Sequence, residues 1–80
     1  MTDEIRNTIE RLRLKAEMLL SEDSRAFIID INNSYFFCDI IVVGENEISF
    51  KPFKGNDAGK IVTKYWADIV KVEEYMEVEN

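Results

Sequence analysis

The chain contains no histidine and holds one cysteine, one proline, one tryptophan and three glycines in 80 residues. Each scarcity excludes something. Without histidine there is no imidazole to serve as the commonest general base, and no Cys/His zinc site. A single cysteine permits no disulfide within the chain. No basic neighbour in sequence would lower the thiol pKa of Cys38, which reads as a small buried core residue. No phosphate-binding loop, nucleophile elbow or metal-ligand spacing occurs. Carboxylates are plentiful, but most fall in turns and at the C-terminal end, and a domain this small leaves little room for the cleft that paired-carboxylate catalysis needs. The expectation is a protein that is not an enzyme, with no cofactor, no metal and no small-molecule substrate. There is no signal peptide and no run of about 20 apolar residues. No membrane partner is expected, and the chain reads as cytoplasmic.

What is present suits a folding domain: 46% hydrophobic and 32% charged residues. Eighty residues allow a single domain, 1–80, which buries only about 60% of its unfolded surface. The net charge of −6 is uneven. Asp3, Glu4, Glu10 and Glu17 balance Arg6, Arg11, Arg13 and Lys15 in residues 1–20, so the whole excess lies in residues 21–80. That acidic remainder disfavours nonspecific attraction to phosphate backbones or anionic lipid.

Residues 1–21 read as a helix, with Thr2 as N-cap and Asp3 and Glu4 in the first turn, where the helix dipole favours negative charge. Ile5, Ile9, Leu12, Ala16 and Leu19 recur at alternating spacings of four and three, which gathers them on one stripe. Leu14, Met18 and Leu20 broaden the apolar face, while Arg6, Glu10, Arg13 and Glu17 alternate in sign on the solvated side. The stripe suits either a short helix–helix seam or packing on a sheet. Its width and its length, little over two heptads, favour a sheet, in this chain or in a neighbouring subunit.

Residues 25–76 read as five short strands and 77–80 as an acidic tail. The first strand sets Phe27, Ile29 and Ile31 on one face against Ala26, Ile28 and Asp30 on the other, and Asn32 and Asn33 turn the chain back. Tyr35–Val43 is the longest apolar run, broken only by Asp39. Strand alternation, with Asp39 kept out of the core, places Phe36, Cys38, Ile40 and Val42 inward and Tyr35, Phe37, Ile41 and Val43 outward. An apolar outer face needs cover, and the helix stripe is the candidate for covering Tyr35, Phe37 and Ile41. A third strand ends at Pro52, the loop Lys54–Lys60 follows, and strands at Ile61–Trp66 and from Ile69 complete a strongly bent antiparallel sheet.

Between Lys51 and Trp66, bases and aromatics interleave: Lys51, Phe53, Lys54, Lys60, Lys64, Tyr65 and Trp66, with Asp57 the lone acid. Single-stranded nucleic-acid binders use this combination for phosphate attraction and base stacking. Lysines beside a strand also protect a sheet edge from aggregation, and Tyr65 and Trp66 must point to opposite sides.

The order of one helix, five strands and a short break before the last strand resembles the Sm-like small barrels, including the Hfq-type RNA chaperones. FIIDINNSYFFCDIIVVGENEISF (Phe27–Phe50) is similar to the first Sm motif and YWADIVKVE (Tyr65–Glu73) to the second. The resemblance implies an α+β, mainly β fold: an N-terminal helix before a five-stranded barrel whose long second strand bends, with edge-to-edge rings that hold RNA in the pore. Cys38, or Asp39 one residue on, stands where that family has its bend glycine, and Lys64, Tyr65 and Trp66 replace its Arg-Gly or Tyr-Lys-His. The expected function is a non-catalytic interaction module working by self-assembly as a homo-oligomer or by binding a protein partner. RNA binding through the 51–66 hairpin is the alternative.

Overall fold

The computed structural model describes residues 3–76. The N-cap expected at Thr2 and the acidic tail at 77–80 lie outside them. Along the chain run α1 (Asp3–Ser21), β1 (Arg25–Asp30), β2 (Tyr35–Val43), β3 (Glu47–Pro52), β4 (Val62–Tyr65), a 3-10 turn (Trp66–Asp68) and β5 (Ile69–Glu74). All strand pairs are antiparallel, in the order β4-β3-β2-β1-β5. The expected helix and five-stranded antiparallel sheet are therefore present. The sheet curls but does not close into a barrel, because β4 and β5 form its two edges and do not pair.

Local chemistry sets each boundary. α1 stops where Asp23 takes a left-handed φ of 55°. The freed amides of Asp23 and Ser24 then donate to Leu20 O (3.1 Å) and Leu19 O (2.9 Å), satisfying carbonyls at the helix end. Asn33, at φ 62°, makes the β1–β2 turn, and one carboxylate oxygen of Asp30 accepts the amides of Asn32 (2.9 Å) and Ser34 (3.0 Å) inside it. At the β2–β3 turn the Gly44 amide donates to Glu47 O (2.8 Å), and a Cβ on Gly44 would meet that oxygen at 2.9 Å. Glycine is needed there for close approach. The 3-10 turn is held between the two sheet edges by the Trp66 amide on Asn46 O (3.0 Å) and the Ile31 amide on Asp68 O (3.0 Å).

Two expectations about β2 change. Ile40 pairs with Phe50 but Val42 with Ser49, so Ile41 is an extra residue, a bulge. Beyond it the alternation inverts. Val42 is 55% exposed, whereas Val43, opposite the fully buried Ile48, packs on the core. The expected Val42-in, Val43-out assignment is therefore reversed. The second change concerns the helix. Ala16 and Leu19 are buried in one cluster with Ala26, Ile28, Cys38, Ile40, Ile48, Phe50, Trp66, Ile69 and Val72. α1 therefore lies on the inner face and does not cover Tyr35, Phe37 and Ile41. On the inner face the buried side chains of β1, β2, β3 and β5 close against Ala16 and Leu19.

Candidate interaction surface

On the outer face, strand register collects aromatic rings. Phe27 sits opposite Phe37, and Tyr35 is next along β2 on the same side. Just past β3, the Phe53 amide donates to Phe37 O (2.9 Å), and just past β5 the Tyr75 amide donates to Arg25 O (2.8 Å). Five rings meet as a result. Phe27 stacks on Phe37 at 5.2 Å, and Tyr75 stands edge-on to both Phe37 (5.4 Å) and Phe53 (5.3 Å). Tyr35 meets Phe27 and Phe37 at 6.1 Å each. These separations lie in the range where aromatic pairs attract beyond simple burial.

Two cations cap the rings. The Arg25 guanidinium lies 4.4 Å from the Phe53 centroid, and the Lys54 ammonium lies 5.4 Å from Phe37 and Tyr75 while donating to the Tyr75 hydroxyl at 3.2 Å. Acids are close by: Asp39 is 3.8 Å from Arg25, and Glu73 is 3.5 Å from Lys71. Tyr35 remains 64% exposed, and the other four rings are half-buried. Beside them is a shallow hollow of ≈ 280 Å³ lined by Phe27, Tyr35, Phe37, Glu74, Tyr75 and Met76.

The residues expected to act together in the 51–66 hairpin are dispersed. Phe53 and Lys54 join the ring cluster, and Lys51 pairs in register with Asp39 on the same outer face. Lys60 is exposed on the loop, and Tyr65 is exposed on edge strand β4. Trp66 is no stacking platform: it is 1% exposed, and its indole Nε1 donates to Gly44 O at 2.9 Å. Lys64 pairs with Ile48 and so points inward, where its ammonium lies 3.2 Å from Asp30 Oδ2 and 5.7 Å from the Phe36 ring.

Asp30, 2% exposed, would have its pKa raised by burial. The hydrogen bonds from Ser34, Lys64 and Asn32, together with the Lys64 charge, outweigh that and hold the carboxyl below its usual value. Lys64 is thus part of the fold. Sequence reading missed Phe27, Arg25 and Tyr75 as members of the outer cluster. The signal was their shared strand parity with Phe37, which only the pairing register could reveal.

The helix stripe divides in two. Ala16 and Leu19 are buried, Ile9 and Leu12 half-buried, and Ile5 is 51% exposed. Toward its N-terminal end α1 leaves an open apolar groove of ≈ 750 Å³ against the 3-10 turn, lined by Ile5, Ile9, Leu12, Trp66, Ala67 and Ile69 together with Glu4 and Thr8. Ile41, on the bulge, is 43% exposed.

Burial, and secondarily the Asp39 charge, push the Cys38 thiol up to about 12, which leaves no thiolate at neutral pH. Among the described residues, no group of three or more metal-ligating side chains occurs, and no helix is long and apolar enough to cross a membrane. No family model and no curated protein matches this chain.

Proposed function

We propose that the protein is a non-catalytic interaction module that associates with protein, either copies of itself or another chain. The observation that carries this is the outer face: five rings in mutual contact that the chain's own helix leaves uncovered. Contiguous exposed apolar surface on a small domain marks an association site, and exposed tyrosine is a frequent anchor in such sites. The element order and strand order are compatible with an Sm-like layout.

A second reading rests on Arg25 and Lys54, which place positive charge over stacked rings as single-stranded RNA binders do. The adjacent Asp39 and Glu73 and the −6 net charge weigh against it. Light-scattering mass across micromolar to submillimolar concentrations, with an RNA titration at two salt concentrations, separates the readings. The expected outcome is association with protein and no RNA bound at low salt, with Tyr35→Glu weakening only the part of that association that the outer face carries. A strict monomer would remove self-assembly and leave only a separate protein partner. RNA binding that high salt and Lys54→Glu both abolish would replace this reading with the second.

A further inference from the structure

We propose that the N-terminal half of α1 is a docking seam for a second copy of this chain, packed antiparallel across a two-fold axis. The inference rests on the association reading above but assigns a different surface. The four-three stripe continues N-terminally from where the sheet covers it: Ala16 and Leu19 belong to the domain's core, whereas Ile5 is 51% exposed and Ile9 and Leu12 form one wall of the open groove. An apolar helical stripe facing a groove is the geometry by which an amphipathic helix is recognised. Trp66, Ala67 and Ile69 supply the opposite wall.

Charge identifies the occupant. Beside the stripe, Glu4, Thr8, Arg11 and Lys15 follow at spacings of four, three and four, which makes them one row along α1. Glu4 and Thr8 line the groove together with the stripe, so this row runs alongside it. The row is acidic at its N-terminal end and basic at its C-terminal end. Laid antiparallel on itself, it sets Glu4 of each copy against Arg11 and Lys15 of the other, twice by symmetry. Laid parallel, it would oppose like charges throughout. Among the described residues, none of these three side chains makes an ion pair within the chain. The antiparallel arrangement also opposes the two helix dipoles favourably. Finally, residues 1–20 are neutral while residues 21–80 carry the entire −6, so the helix itself adds no net like-charge repulsion between two copies.

Sedimentation velocity on the full chain tests the seam through a charge swap. The wild type should be a concentration-dependent dimer, and Ile5→Glu should be monomeric with an unchanged circular dichroism spectrum. Glu4→Lys should weaken dimerisation roughly tenfold, and Glu4→Lys/Arg11→Glu/Lys15→Glu should restore it. Tyr35→Glu should leave the dimer intact. Failure of the triple variant to recover, or a dimer that survives Ile5→Glu, would overturn the seam. If Tyr35→Glu alone abolishes the dimer, association runs through the aromatic face; the seam then falls while the broader reading stands. A wild type that stays monomeric throughout overturns the seam and leaves the broader reading only as binding to a different protein.

Discussion

The two faces of the sheet are both apolar and yet are built differently. Inside, side chains of β1, β2, β3 and β5, mostly aliphatic but including the touching rings of Phe36 and Phe50, close around Trp66, Ala16 and Leu19. The polar groups admitted there are bonded: the Trp66 indole to Gly44 O, and Asp30 to two amides and Lys64. Outside, the contiguous apolar patch is a set of rings that lean on one another at 5.2 to 6.1 Å or are capped by cations, and Tyr35 stands largely in solvent. An aliphatic face needs a second layer to exclude water. A face of touching rings shields itself in part and still presents edges and hydroxyls to a partner. Apolar content therefore does not identify a core face; the face that α1 covers is the core.

The strongest way to break this comparison is to remove the centre of the inner face. Trp66→Ala deletes a fully enclosed ring together with its hydrogen bond, at about 3–5 kcal/mol, against a total of about 4–12 kcal/mol for a chain of this size. The variant should be largely unfolded by circular dichroism at 37 °C. Trp66→Phe keeps most of the ring and loses the bond to Gly44 O, and should lie about 1–2 kcal/mol below wild type in urea denaturation. If Trp66→Ala has the stability of wild type, the inner face is not the core.

Next comes Asp30→Asn, about 2–3 kcal/mol at neutral pH, because it leaves the Lys64 ammonium without its carboxylate. The sign of its pH dependence follows from the lowered folded-state pKa. The carboxylate's contribution is complete above its unfolded value, 3.8, and is lost as pH falls through the still lower folded value. The gap between wild type and Asp30→Asn in denaturant midpoint should therefore be widest near neutrality and shrink below pH 3.8. A gap that does not change with pH would mean that Asp30 acts only as a hydrogen-bond acceptor.

How far sequence reading reached follows the same division. The helix, the five strands along the chain and the turns were legible because they depend on local signals, such as the stripe in α1 and the asparagines at 32 and 33. The bulge at Ile41 was not, since no glycine or polar residue marks it, and it reversed the assignment of Val42 and Val43. The side on which α1 packs was hidden for a related reason: β2 is apolar on both faces, so periodicity gives no preference. The hairpin site failed because adjacent residues in a strand face opposite ways. Alternation sends Lys64 inward to Asp30 and leaves Tyr65 on the surface, and the 3-10 turn then folds Trp66 into the core.

The smallest expected effect sharpens the comparison most. Tyr35 shares the outer face with Phe37 and touches two rings, yet it is 64% exposed, so it contributes little burial to give up. Tyr35→Ala should change stability by no more than about 1 kcal/mol, while weakening whatever association the outer face supports. A core residue would behave in the opposite way, with stability lost first and association only as a consequence. Urea denaturation and light-scattering mass on the same preparation distinguish the two patterns. Unfolding at clearly lower urea with association unaltered would make the ring cluster a second core, and the outer face would then differ from the inner one only in its degree of exposure.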